Sequence, residues 1–155
     1  MNQNVPFTLV CVAVLAFACG PRPRGEASNE RAPHTTRSAP ANADTPLAPS
    51  LAIQVEKGVR FQFEIANASA KKLELIFADG RTHDVVVLDS IGREVWRSSE
   101  GRLFTQAVQN KVLRASDSLR YREQWDAPRP GSYTAVATLA STNFPVEHRV
   151  AFTVR

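Results

Sequence analysis

Residues 51–155 predict an all-β fold, an antiparallel sandwich of about seven to nine short strands. Three features carry that expectation. Apolar and polar residues alternate along short runs, the period of a strand with one face buried. Turn dipeptides and glycines separate the runs at close spacing. Helical periodicity is almost absent.

In chain order, the run VRFQFEIAN puts Val59, Phe61, Phe63 and Ile65 on one face and Arg60, Gln62 and Glu64 on the other. KKLELIFADGRTHDVVVLD predicts two strands joined as a hairpin at Asp79-Gly80, since both positions of such a turn favour residues that tolerate positive φ. Leu73, Leu75 and Phe77 face inward from the first strand. Val85-Val86-Val87-Leu88 in the second suits burial on both faces. DSIGREVWRSS predicts a further turn at Asp89–Gly92, leading to Val95 and Trp96. SLRYREQWD sets Leu119, Tyr121 and Trp125 on one face, with Glu123 interrupting that row, as expected of a position at a sheet rim. GSYTAVATLAS alternates Tyr133, Ala135, Ala137 and Leu139, and EHRVAFTVR ends the chain with Val150, Phe152 and Val154. Strands of this number and spacing correspond to an immunoglobulin-like sandwich.

Ahead of this region the composition changes. Six of the ten prolines fall between Cys19 and Ser50, a stretch with one large aliphatic residue, Leu47. So little apolar surface cannot offset the entropy of ordering, so residues 19–50 are expected to form a disordered, Pro-rich linker. Fully extended, they reach about 100 Å. His34 lies in this stretch and is expected to be solvated.

Both cysteines, Cys11 and Cys19, precede residue 20, so the folded part has no thiol for a disulfide or a metal site. Residues 5–18 form an uncharged apolar run, shorter than the roughly 20 residues of a membrane-spanning helix. They suit the apolar segment of a secretory signal occupying residues 1–18. Ala16-Phe17-Ala18 supplies small residues before a cleavage point, with Cys19 immediately after. This arrangement resembles a bacterial lipoprotein signal, which implies a lipid on the Cys19 thiol and an envelope location facing the periplasm or exterior. The alternative is an ordinary cleaved signal and a secreted protein.

The net charge of +4 is not gathered into a basic stripe, and nothing in the pattern suggests nucleic-acid binding. No catalytic motif stands out. His83-Asp84 lacks an accompanying nucleophile elbow, and His83 is expected to be a solvated residue at a strand start. His83 and His148 have no closely spaced ligand partners, so neither a metal nor another cofactor is expected. The chain is therefore expected not to be an enzyme.

Several linked blocks carry a resemblance. They are Gly80, Asp84, Asp89, Gly92, Val95-Trp96, Phe104-Thr105-Gln106-Ala107, Tyr121, Trp125 and Gly131-x-Tyr133. In this order they resemble the BsuPI family, the intracellular proteinase inhibitors. His83 stands where that family has an aromatic residue, Ser98 where it has a second Trp, and Ala115-Ser116 where it has a Pro-Gly turn. The resemblance implies a β-sandwich that binds a serine proteinase, subtilisin-like in the family's pattern. The glycines and large aromatics suit structural roles. The loop RSSEGRLFTQ is the candidate contact surface, with Arg97, Glu100, Arg102 and Phe104 as the contact residues.

Two classes of protein binding remain open. One is a membrane-tethered module that inhibits a serine proteinase by surface contact. The other is a non-inhibitory envelope or surface interaction domain with no proteinase target. A secreted domain does not meet a cytoplasmic enzyme, so an inhibitor built this way requires a target outside the cytoplasm.

Overall fold

The computed structural model describes residues 45–155, and among these there are nine strands and no helix. Cys19, the leader 1–18 and the linker up to residue 44 lie outside the described residues. β1 (Leu47–Val55), β2 (Val59–Asn67) and β7 (Ser118–Trp125) form one sheet in the order β1-β2-β7. β5 (Glu94–Arg97), β4 (His83–Leu88), β8 (Gly131–Leu139) and β9 (Val146–Val154) form a second, in that spatial order. β3 (Leu73–Phe77) and β6 (Gln109–Leu113) make a separate two-stranded ribbon. Every pairing is antiparallel.

The alternation in β2 works as the sequence predicts. Val59, Phe61, Phe63 and Ile65 are buried, while the residues between them pair outward-facing positions with β1 and β7. From the second sheet, Val85, Val87, Ala135, Ala137, Leu139, Val150 and Val154 complete the core. Burying one of these valine or leucine side chains contributes on the order of 2 kcal/mol. Five aromatic rings close around one region of the core: Phe61 stacks on Trp96 at 5.5 Å, Trp96 on Trp125, Trp125 meets Tyr133 edge-on, and Phe152 joins Tyr133 back to Phe61. Trp96 is thus a half-buried core residue, fixed from β2 and β7.

In the layout of the strands the structure departs from the sequence reading at two of the places it names. The first strand starts at Leu47, four residues before the boundary expected at 50/51. Leu47 is 2% exposed and pairs with Asn67. Pro49 does not prevent this, because β1 is an edge strand of its sheet and a missing N–H there breaks no ladder.

The second departure is the hairpin expected at Asp79-Gly80. β3 pairs with β6, whereas β4 lies between β5 and β8, so the connection crosses between sheets. Asp79 Oδ1 accepts the Arg81 N–H at 2.7 Å, and the Gly80 N–H donates to Thr105 O at 2.8 Å. A Cβ on Gly80 would stand 2.7 Å from Thr105 Oγ1. Close approach of another loop, not a left-handed turn, requires glycine here. The hairpin between β4 and β5 does form. Asp89 N donates to Arg93 O, and Asp89 Oδ1 accepts the N–H groups of Ile91 and Arg93.

Asn67 joins the ribbon to the first sheet. Its buried Nδ2 lies 2.7 to 3.1 Å from the carbonyls of Lys71, Leu113 and Arg114, and its Oδ1 accepts from Ser69 N and Ser69 Oγ. Asn67→Asp keeps the shape but sets an acceptor against those carbonyls. It should cost about 3 kcal/mol or more in urea denaturation.

Candidate functional site: the loop between β5 and β6

Residues 98–108 leave the edge strand β5 and return as β6, passing from the four-stranded sheet to the ribbon. A tight turn opens the loop: Glu100 N donates to Arg97 O and Arg102 N to Ser99 O, and Gly101 takes φ +71°. That conformation is costly for any residue with a Cβ. Residues 102–106 then run without regular structure.

The start of the loop is held by Asp84. Its carboxylate accepts Arg97 Nη1 at 2.8 Å, Ser98 Oγ at 2.8 Å, Ser99 Oγ at 2.8 Å and Ser99 N at 3.2 Å. Burial acts to raise the Asp84 carboxyl, but the hydrogen bonds from Ser99, Ser98 and Arg97 outweigh it and hold the group below the usual carboxylate range. Ser98 also exchanges bonds with β4, accepting Val85 N at its Oγ and donating its own N–H to Val85 O. Arg97 is held from its other side by Glu94, whose Oε2 is 2.6 Å from Nη2. Hydrogen bonds from Glu94 and then Asp84 push the Arg97 guanidinium well above its ordinary value.

The middle of the loop is held by Glu123. This residue sits on β7, an edge strand of its sheet as the sequence reading expects, but it is buried there. It lies directly opposite Phe61 in the β2–β7 pairing, on the inner side, with its side chain 4% exposed. Arg102 satisfies it with a two-pronged grip, Nη1 to Oε1 at 2.9 Å and Nη2 to Oε2 at 2.5 Å. His83 adds Nε2 at 2.9 Å from Oε1 and stacks its ring on Tyr121 at 3.9 Å. His83 is therefore not solvated. It fills the aromatic position from β4, on the face opposite to that of its neighbour Asp84. Thus adjacent residues of β4 serve the two anchors: Asp84 grips the loop directly, and His83 braces the carboxylate that grips Arg102. Beyond Arg102, Thr105 O takes the Gly80 N–H and completes the attachment.

Among the expected contact residues, Arg97 and Arg102 have their guanidiniums in these ion pairs, Glu100 is exposed, and Phe104 is half-buried. Leu103, between them, is fully exposed at 101% and was not singled out in the sequence. Its signal was an isolated large apolar side chain in a loop. The signal for Glu123 was an acidic residue at an inward position, which requires a buried cation partner. Among the described residues no group of three or more His, Cys, Asp or Glu is placed to hold a metal ion.

The family model BsuPI, described as intracellular proteinase inhibitor, matches residues 48–144, from β1 through the β8–β9 connection and including both anchors. No curated protein matches the chain.

Two outcomes test the anchoring. Arg102→Ala should destabilise the fold by about 2 kcal/mol or more, because it leaves Glu123 buried with a single partner. Adding Glu123→Leu should recover most of that loss in chemical denaturation. Burial also lowers His83, only partly offset by Glu123, and lowers His148, whose buried Nε2 has no partner. The unfolded chain therefore binds more protons just below the ordinary histidine value of 6.5. This part of the stability is complete above that value and is lost as pH falls. The melting temperature should drop between about pH 7 and pH 5, and His148→Leu should reduce the drop.

Proposed function

The chain belongs to the BsuPI family of intracellular proteinase inhibitors, and from that premise we propose that it inhibits a subtilisin-like serine proteinase by presenting the β5–β6 loop to the enzyme. The observation that supports the loop as the contact surface is its double anchoring on Asp84 and Glu123. An inhibitor gains affinity when its binding segment is already held in place, because less freedom is lost on association. Binding surfaces on sandwiches are commonly carried by loops on a rigid strand scaffold, and this loop fits that arrangement.

The reading takes Cys19 as the point of lipid attachment and places the domain at the bacterial envelope, facing the periplasm or exterior. Support comes from the apolar run 5–18 and the small residues Ala16 and Ala18 before the cysteine. Diacyl modification with a further acyl chain gives stable anchoring where one chain does not. The target enzyme then works outside the cytoplasm, although the family as a whole is described as intracellular.

The purified full chain, titrated at micromolar concentration against a panel of subtilisin-like and trypsin-like proteinases, should slow at least one. Inhibition of none leaves the alternative, a non-inhibitory envelope interaction domain. In cells, Cys19→Ser should move the protein from the membrane to the soluble fraction, and unchanged fractionation rejects the lipid anchor.

A further inference from the structure

We infer that Leu103 is the side chain that enters the target enzyme's primary specificity pocket, and that this pocket is apolar. The inference rests on the inhibitor reading above and deepens it by naming the chemistry of the partner site.

Three observations combine. Leu103 is 101% exposed, the most exposed of the large apolar residues among those described. Burying such a side chain in a pocket is favourable in proportion to the apolar area removed from water. It also lies between two attachments. On one side Arg102 grips Glu123 and donates its N–H to Ser99 O. On the other, Thr105 O accepts Gly80 N. Leu103 is thus displayed from a segment whose ends are fixed. Finally, among the described residues the peptide groups of Leu103 form no hydrogen bond with other main-chain groups. An irregular segment with free N–H and C=O groups can pair with an edge strand of an enzyme, leaving its side chain to occupy a pocket.

The competing choices fail on geometry. Arg102 and Arg97 are the cations of the segment 97–106. An enzyme with an acidic pocket would have to strip Arg102 from a carboxylate that is 4% exposed, or Arg97 from Asp84 and Glu94. Among other exposed apolar residues, Ile91 sits within the tight β4–β5 turn, and Val112 is paired within β6. Val108 lies beyond the Thr105 attachment, immediately before β6, and so outside the segment held at both ends. Phe104 is half-buried against the protein itself.

The full chain and three variants, Leu103→Asp, Leu103→Arg and the control Ile91→Asp, would be titrated against subtilisin and trypsin as probes. Melting temperatures establish that each is folded, which the exposure of both positions favours. The wild type should inhibit subtilisin and leave trypsin untouched. Leu103→Asp should weaken inhibition of subtilisin by at least about thirtyfold, and Ile91→Asp should leave it within about threefold. Leu103→Arg should weaken the subtilisin complex and bring trypsin under inhibition. If the wild type inhibits subtilisin and Leu103→Asp does so within about threefold, Leu103 is not the inserted residue and the inhibitor reading stands without it. Wild-type inhibition of trypsin alone overturns the apolar pocket, and inhibition of neither enzyme overturns this inference while the wider panel decides the inhibitor reading.

Discussion

A single carboxylate inside the sandwich sets the arrangement on which the site depends. Glu123 occupies an inward position of β7, opposite Phe61, where alternation calls for an apolar residue. A charge removed from water at that place is costly unless it is paired and hydrogen-bonded. Arg102 supplies the opposite charge, and His83 adds a hydrogen bond. Arg102 reaches it only if the β5–β6 loop folds back across the open side of β7. The route of the loop follows from the need to neutralise one buried group.

The second carboxylate, Asp84, acts from the opposite face of β4. The two faces of one strand, occupied by consecutive residues, therefore connect to the same loop, and a shift of one residue in β4 would lose both connections. Tyr121 and Lys111 enclose the inner anchor. The His83 ring stacks on Tyr121, and the Lys111 ammonium lies 5.3 Å from the Tyr121 ring centroid. The five-ring aromatic cluster beginning at Phe61 adjoins it along β2 and β7. Rigid core and polar anchor thus share neighbours, so the stability of the sandwich and the position of the loop are linked.

Membership of the BsuPI family accounts for the sandwich and for the blocks of glycine and aromatic residues, but function is carried by the site placed on the fold. The positions at which this chain differs from the family pattern have physical explanations here. His83 replaces an aromatic by stacking as one while also hydrogen-bonding Glu123. Ser98, in place of a large indole, is buried and bonds both Asp84 and Val85. Ser116, in place of a turn glycine, adopts φ +63°, a left-handed conformation held where its N–H meets Asn67 O.

Seven of the nine strands, all but β1 and β6, were legible in the sequence because period-two alternation is a local property. β2 is the clearest case, with its four buried apolar side chains identified by spacing alone, and the Asp89–Gly92 turn followed from turn chemistry. The family could be recognised for a related reason, since its blocks are short and occur in order. What the strands pair with could not be read in this way. The Asp79-Gly80 dipeptide suggested a hairpin, yet β3 and β4 belong to different sheets, because pairing depends on contacts distant in sequence. The loop was identified as the candidate surface, but the roles within it were not. Arg102 as an anchor, Leu103 as the exposed tip and Glu123 as a buried charge each depend on which residues meet across roughly twenty or more positions of chain, and only the packing of the two sheets decides that.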